Sequence, residues 1–346
     1  MKKSFFDKTP FLIAEISANH CGKLNLAKKL IMEAKKNGAN AVKLQTYKPD
    51  SLTLKSNKKY FKLKKGLWKG ANLWDLYNQC QTPFEWHKEL FRYSKKLGIK
   101  IFSSPFDEEA VDLLENLNCP AYKIASFEMQ HIKLLKRVVK TNKPIIVSTG
   151  TFSLMEIKKI YNLLKKLKAK DITILYCVSN YPSNNKDFNL NNIKILKKEL
   201  NCRIGLSDHS TDSIIGSLAV AVGAEVIEKH IALPNQKEGP DIAFSLKGKE
   251  IKKFKNELDK SFSLLGKSYF YRTTLEKENI INRRSIFVSK DIDKGQKFTK
   301  NNIKVIRPGH GISPIYFDKL INKVSPIKIN KDEPLNQKIL KKLKIL

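Results

Sequence analysis

Eight short apolar runs alternate with amphipathic stretches along residues 11–265, and that alternation leaves few folds open. The runs cover 11–18, 40–47, 99–104, 121–126, 144–149, 171–179, 203–207 and 224–230. Each is rich in Ile, Val, Leu or Phe and short enough for a buried parallel strand. Helical periodicity follows each run, over 24–37, 83–97, 108–117, 132–140, 154–167, 190–200, 213–222 and 249–265. Asp107 is placed to cap the helix at 108. Thr82-Pro83-Phe84-Glu85 reads as an N-cap, a Pro at the first helical position and a Glu closing a capping box. Gly38 and Gly98 sit where helices end. Eight strand–helix units predict an α/β fold, a (β/α)8 TIM barrel. A doubly wound sheet is the alternative, but no Gly-x-Gly-x-x-Gly follows the first strand.

The second unit departs from the pattern. A long loop separates its strand from its helix and holds Tyr60, Phe61, Trp68, Asn72, Trp74 and Tyr77. Loops after barrel strands open on the catalytic face, so this one is expected to shape a site; a surface insertion is the plainer alternative. After residue 265 the pattern changes to a polar connector (273–282) and short β runs broken by Gly, Asn and Pro. The expected division is a barrel over 1–270, a linker over 271–284 and a small β-rich domain over 285–346.

Charge raises a different possibility. The 66 Lys and Arg against 33 Asp and Glu give +33, which invites a nucleic-acid partner. Only seven of the basic residues are Arg, the fork that reads bases and phosphates. Lys instead lines the polar faces of helices, as over 157–167, and no nucleic-acid motif accompanies it. Compositional bias is the better account, although a positive field still attracts a small anion. Five scattered cysteines without a Cys-x-x-Cys argue against disulfides and a zinc site, and for a cytoplasmic protein. No apolar run reaches the roughly 18 residues that cross a bilayer, and the first residues lack a secretory leader's apolar stretch.

Barrel chemistry collects at the C-terminal ends of strands, and here those ends are polar. They carry Glu15, Ser17, Asn19 and His20; Lys43 and Gln45; Ser103 and Ser104; Lys123, Ser126 and Glu128; Ser148, Thr149 and Gly150; Ser179, Asn180 and Tyr181; Ser207, Asp208 and His209; Glu228 and His230. Unpaired, each buried polar group would cost about 1–3 kcal/mol, so a shared ligand site explains them better than a packed core. His209 and His230 close neighbouring strands and can converge on one divalent cation. Two His with open positions suit Mn2+, Co2+ or Mg2+; two hydrogen-bonded structural histidines are the plainer reading. Lys43 and Lys123, inside strands and among serines, suit a phosphate with an adjacent carboxylate. His87 is expected on the surface or in packing, and His131 to begin a helix. The cysteines default to core filling.

At these residues the chain resembles a known family. The motifs are Ala-Glu-Ile-Ser-Ala-Asn-His (14–20), Val-Lys-Leu-Gln-Thr (42–46), Phe-Ser-Ser-Pro-Phe-Asp (102–107), Tyr-Lys-Ile-Ala-Ser-Phe-Glu (122–128), Ser-Thr-Gly (148–150), Gly-Leu-Ser-Asp-His (205–209) and Glu-Lys-His (228–230). Together they resemble the bacterial nonulosonic-acid (sialic-acid-synthase-like) family, which condenses phosphoenolpyruvate with an N-acylated hexose. Arg-Arg-Ser (283–285) and Arg-Pro-Gly-His-Gly-Ile (307–312) resemble its SAF (antifreeze-like) domain. Ile-Ser-Ala-Asn-His, Leu-Gln-Thr-Tyr (44–47) and Asn-Leu-Trp-Asp-Leu-Tyr (72–77) look like the pseudaminic acid branch rather than the sialic or legionaminic ones. Cys21 stands where the family often has Asn.

The resemblance implies a metal-dependent transferase that joins phosphoenolpyruvate to 2,4-diacetamido-2,4,6-trideoxy-L-altrose and releases phosphate by C–O cleavage. It implies phosphoenolpyruvate contacts from Lys43, Lys123, Ser126, Ser148 and Ser207, and a proton acceptor in Glu128. Glu15, Gln45, Tyr181 and Asp241 match sugar-side positions. His209 and His230 match the metal ligands. Arg307 matches an Arg inserted into a partner's site, hence a domain-swapped homodimer. N-acetylneuraminate and legionaminate synthesis are the nearest alternatives. A Schiff-base aldolase using Lys123 and a nucleic-acid binder are the more distant ones.

Overall fold

In the computed structural model, which describes residues 4–345, the eight apolar runs become eight parallel strands. They are β1 (Phe11–Glu15), β2 (Ala41–Thr46), β3 (Lys100–Pro105), β4 (Tyr122–Ile124), β5 (Ile145–Ser148), β6 (Ile172–Cys177), β7 (Arg203–Asp208) and β8 (Val226–Ala232). Each pairs with the next, and β8 pairs back onto β1 with Glu15 opposite His230, so the sheet is closed. Between and after them run α1 (Leu24–Lys36), α2 (Phe84–Leu97), α3 (Glu108–Asn116), α4 (Ile132–Val139), α5 (Leu154–Lys166), α6 (Asn191–Glu199), α7 (Ile214–Ala221) and α8 (Lys249–Leu265). The expected TIM barrel is the observed fold.

Local chemistry sets these elements. In α5, Ile157, Ile160, Tyr161 and Leu164 are buried, as the 3.6-residue period requires. Ser153 and Glu156 form its capping box, worth about 1 kcal/mol. Asp107 caps α3 by accepting from the Ala110 N–H at 2.7 Å. The capping box expected at Thr82 does not form: the N-cap of α2 is Pro83, without a side-chain bond. Thr82 is buried, and its hydroxyl meets His20 Nε2 at 3.3 Å instead. His87 is also buried, between Thr46 Oγ1 at 2.7 Å and the Pro83 carbonyl at 3.0 Å. Burial pushes its imidazole down to about 4, so it packs as a neutral group.

The barrel core is continuous through both faces of the strands. Phe5, Phe6, Phe11 and Phe102 pack together with ring centroids 5.0–5.6 Å apart. Each ring so buried stabilises the barrel by about 1.5–3 kcal/mol. Gly205 permits close approach of β7 to β8, because a Cβ there would lie 2.2 Å from the Val226 carbonyl oxygen.

Two expectations shift. Residues 16–18 leave the strand: Ser17–His20 form a 3-10 turn, with Ser17 at φ 44°. The long second loop is also more ordered than its sequence suggests. It contains helices Pro49–Leu52 and Leu73–Cys80, the latter capped by Asn72 accepting from the Trp74 N–H at 3.0 Å.

Contacts divide the chain into two compact units, the first ending at Gly266 and the second beginning at Lys267. In the second, strands Ser285–Val288 and Ile303–Ile306 pair antiparallel over a core of Ile286, Ile292, Phe298, Leu320 and Leu335. The connector at 273–282 folds into helix Thr274–Glu278 and a 3-10 turn, Asn279–Asn282. Among the described residues, no helix is long and apolar enough to cross a membrane.

Candidate active site

A buried ion network fills the centre of the barrel mouth. Glu228 of β8 accepts from Lys123 Nζ of β4 through both oxygens, at 2.8 Å each. It also accepts from Lys43 Nζ of β2 at 3.0 Å and from Ser207 Oγ of β7 at 3.2 Å. Lys43 lies 2.9 Å from the second carboxylate, Glu15. All four charged groups are at least 96 % buried. Burial works against the Glu228 anion, yet Lys123 and Lys43 outweigh it and hold the carboxyl well below its usual range. Burial likewise opposes the Lys43 cation, but Glu15 and Glu228 raise its pKa. For Lys123 burial wins and draws the ammonium down to about 8. Burial raises Glu15. Gln45 donates to Ser17 Oγ at 2.9 Å and lies 3.4 Å from Glu15 Oε1.

Beside the lysines lies a cradle of hydroxyls and backbone. The Gly150 N–H donates to Ser126 Oγ at 3.0 Å. A Cβ at Gly150 would fall 1.8 Å from Ser179 Oγ and 2.9 Å from Ser126 Oγ, so only Gly fits. Ser148 Oγ is buried and has no hydrogen-bond partner among the described residues. Glu128 follows on the turn Ser126–Glu128. Its Oε2 is likewise buried and unpartnered, and burial pushes its carboxyl up to about 7. Unsatisfied buried groups of this kind are costly, and their concentration beside two buried lysines marks a place built for a polar ligand.

The histidines close the other side. The rings of His209 and His230 have centroids 5.3 Å apart. His209 Nδ1 faces the Val178 carbonyl at 3.3 Å, which leaves Nε2 free. Burial holds His209 neutral, drawing it down to about 3. His230 Nδ1 lies 3.4 Å from Asp241 Oδ2, too misaligned for a hydrogen bond, and is otherwise unpartnered. Two imidazoles on adjacent strands, one oriented by a carbonyl and one beside a carboxylate, fit the donor set of a divalent cation. Among the described residues no third His, Cys, Asp or Glu completes a closed cage, so any cation here keeps open positions.

Asp241 sits in a loop after β8 that Asn19 ties down: Asn19 accepts from the Asp241 N–H at 3.3 Å and donates to the Ile231 carbonyl at 2.9 Å and to Ser245 Oγ at 2.8 Å. Burial works against the Asp241 anion, but His230 and Ser17 outweigh it and lower its pKa. An aromatic wall completes this side. Tyr181 packs on His209 at 4.4 Å, and Phe244 on His230 at 4.8 Å. Trp68, from the long second loop, packs on Tyr181 at 5.7 Å and donates to the Pro240 carbonyl at 3.2 Å. Trp74 is engaged elsewhere, by Asp50 at 2.6 Å and by the Lys55 ammonium over its ring.

The structure thus gathers Glu15, Lys43, Gln45, Lys123, Ser126, Glu128, Ser148, Tyr181, Ser207, His209, His230 and Asp241 about one barrel mouth. Arg307 belongs to the second unit and is exposed just past strand Ile303–Ile306. Ser285 Oγ fixes the turn that follows it, donating to the Pro308 carbonyl at 2.7 Å and accepting from the Gly311 N–H at 2.9 Å. The sequence reading placed Glu228 on one face with His230 and put Gly150 at a strand end of the expected ligand site, without giving either a specific role; Phe244 had no such signal.

Comparison with known proteins follows the same division. Residues 30–269 match the NeuB family and residues 283–340 match the SAF domain. The pseudaminic acid synthase of Campylobacter jejuni is 42% identical over 331 residues, 96% of either chain. The N,N'-diacetyllegionaminic acid synthase of the same species is 36% identical, covering 95% of this chain and 100% of its own. A crystal structure of N-acetylneuraminic acid (sialic acid) synthetase from Leptospira borgpetersenii superposes with a TM-score of 0.72 at 34% identity. That match covers 79% of this chain and 90% of that one.

Proposed function

The chain belongs to the NeuB family, and from that premise we propose that it condenses phosphoenolpyruvate with 2,4-diacetamido-2,4,6-trideoxy-L-altrose and water to give pseudaminic acid and phosphate. The observation that carries the chemistry is the pairing, in one barrel mouth, of two buried lysines, the unpartnered Ser148 hydroxyl and the unpartnered Glu128 Oε2 with two open imidazoles. The 42% identity to a pseudaminic acid synthase, against 36% to a legionaminic one, favours this branch.

In this reading Lys43 and Lys123 meet the anionic groups of phosphoenolpyruvate, and Ser126, Ser148 and Ser207 hold its remaining oxygens. Glu15, Gln45, Tyr181 and Asp241 orient the open-chain sugar. His209 and His230 are the residues that would hold a divalent Mn2+, Mg2+ or Co2+, whose chemistry when bound is Lewis acidity toward the sugar's aldehyde oxygen. The enol π pair attacks the aldehyde carbon, and the aldehyde oxygen gains a proton. Positive charge develops at C2, and Glu228 and Glu15 are the carboxylates among the buried groups of the barrel mouth. Water adds at C2 and gives its proton to Glu128, which burial has tuned near neutrality. As the new C2 hydroxyl gives up its proton, the C2–O bond of the phosphate ester breaks and leaves a ketone; of water's two protons, one ends on the former aldehyde oxygen and the other on the departing inorganic phosphate.

An aldolase using a Lys123 Schiff base has one point in its favour, the lowered Lys123 pKa. Both Glu228 oxygens hold that ammonium, however, so no free amine faces the site. Borohydride trapping separates the two: the condensing enzyme survives it and is silenced by chelation. Phosphate release from phosphoenolpyruvate against a panel of N-acylated hexoses tests the proposal directly. N-acetylmannosamine matching the trideoxy-altrose in kcat/KM refutes the branch.

The assembly proposed is a domain-swapped homodimer in which Arg307 serves the partner's barrel. What supports it is the exposure, within the second unit, of Phe270 and Leu275, at 96 and 71%, apolar side chains that a second copy would cover. Arg307→Ala and Glu128→Ala dimers should each be nearly inactive, and mixed dimers should recover one working site. No recovery in verified heterodimers overturns the swap.

A further inference from the structure

We propose that Asp208, Lys229 and Ser210 form a positioning clamp that fixes the two imidazoles relative to each other from behind the barrel wall. Side chains alternate along a strand, so Glu228 and His230 share the inner face of β8 while Lys229 points the other way. Asp208 bears the same relation to Ser207 and His209 on β7. Asp208 and Lys229 are register partners across the two strands. Lys229 is 1% exposed and Asp208 is fully buried. The Lys229 ammonium donates to Asp208 Oδ2 at 2.9 Å and also to the Ser210 carbonyl. The Ser210 N–H donates to the other Asp208 oxygen at 2.8 Å.

These bonds close a ring around the main chain of His209. One member of the ring is the residue immediately before His230. The outer side of that main chain is pinned too, because the His209 carbonyl accepts from the Ser183 N–H at 3.0 Å. A buried ion pair is a weak device for stability, since two packed apolar residues of similar volume do as well or better. It is a strong device for geometry: a charge pair with an added backbone acceptor has one satisfied arrangement. The position to be fixed is the separation of two side chains that must meet one ion, where small displacements forfeit a ligand.

This inference rests on the proposed divalent site at His209 and His230, and its test separates the two. The full-length protein, stripped of metal, is titrated with Mn2+, and free Mn2+ is read by its spin-resonance signal. The unmodified chain should bind and His209→Ala should not. The double variant Asp208→Leu, Lys229→Met leaves no unpaired buried charge. It should fold, with a midpoint lowered by the Ser210 N–H and carbonyl left unpaired, and bind Mn2+ about 10–100-fold more weakly, the usual loss when groups that orient metal ligands are removed. A role in stability alone would move the midpoint and leave the affinity. Equal binding by the unmodified chain and His209→Ala overturns the metal site itself, and the clamp with it. Loss in His209→Ala with unchanged affinity in the double variant overturns the clamp alone. Should the double variant not fold, Asp208→Asn replaces it, keeping the shape and dropping the charge. An Mn2+ Kd within twofold of the unmodified chain then overturns the clamp.

Discussion

Replacing Glu128 with Gln should inactivate the protein and stabilise it, by an amount that depends on pH. Burial lifts the Glu128 carboxyl from an ordinary 4.5 to about 7. Below pH 4.5 the group is protonated in the folded and the unfolded chain and contributes nothing. Between 4.5 and 7 the unfolded chain gives up its proton while the folded chain keeps it, so stability falls as pH rises. Above 7 the loss is complete. At 1.36 kcal/mol for each tenfold change in the proton equilibrium, the full loss is at most about 3 kcal/mol. The side chain is partly exposed although Oε2 is buried, so screening brings the expectation to on the order of 2 kcal/mol. Gln is neutral throughout and escapes this loss. Urea unfolding of both chains at pH 5 and pH 8 measures it: Glu128→Gln should be the more stable at pH 8 and close to equal at pH 5. The catalytic profile should run oppositely. If Glu128 takes the proton of the attacking water, kcat/KM rises through about pH 7 as the carboxylate forms, while stability declines. A stability difference that is the same at both pH values refutes the argument, because the carboxyl then titrates as an ordinary surface acid.

Other substitutions test other parts of the site. His209→Ala and His230→Ala should abolish turnover with the fold intact by circular dichroism, and EDTA should silence the unmodified chain; activity in either variant or under chelation removes the metal assignment. Gly150→Ala drives a methyl into Ser179 and Ser126, and should raise the phosphoenolpyruvate KM about tenfold, the worth of roughly one hydrogen bond, by steady-state kinetics. Gly205→Ala forces β7 from β8 and should cost about 1–3 kcal/mol in urea unfolding. Trp68→Ala strips the wall behind Tyr181 and should raise the KM of the sugar while leaving that of phosphoenolpyruvate unchanged.

The barrel was legible because each level of the sequence agreed with it. The runs at 41–46 and 203–208 are short, apolar and followed by helical periodicity, and a closed parallel sheet is what such units build. Strand ends were less legible. At Ser17 the chain turns because Asn19 and Asp241, more than 200 residues apart, are bonded to each other, and no local signal carries that. Thr82 failed as a cap for a related reason. Its sequence neighbours fit a capping box, but His20, brought close by the fold, took its hydroxyl. The second loop read as a loop that shapes the site, without its helix, Leu73–Cys80, which is held partly by aromatic contacts such as Tyr77 on Tyr47.

The site was legible where chemistry and position coincided, and opaque where only parity distinguished a residue. Lys43 and Lys123 stood out because solvated lysines do not lie inside strands. Lys229 lies inside a strand as well, yet among 66 Lys and Arg it looked ordinary. The strand's own alternation held the missing signal. Once His230 faces the site, Glu228 must face it too and Lys229 must face away, into a layer covered by helices. A cation there is costly unless an anion answers it. The same parity on β7 puts Asp208 out when His209 faces in. Because those two outward positions hold a cation and an anion, each answers the other's charge. Glu228 follows from the other half of the argument. A carboxylate on the inner face, level with lysines from two other strands, becomes the group that holds both ammonium ions in place.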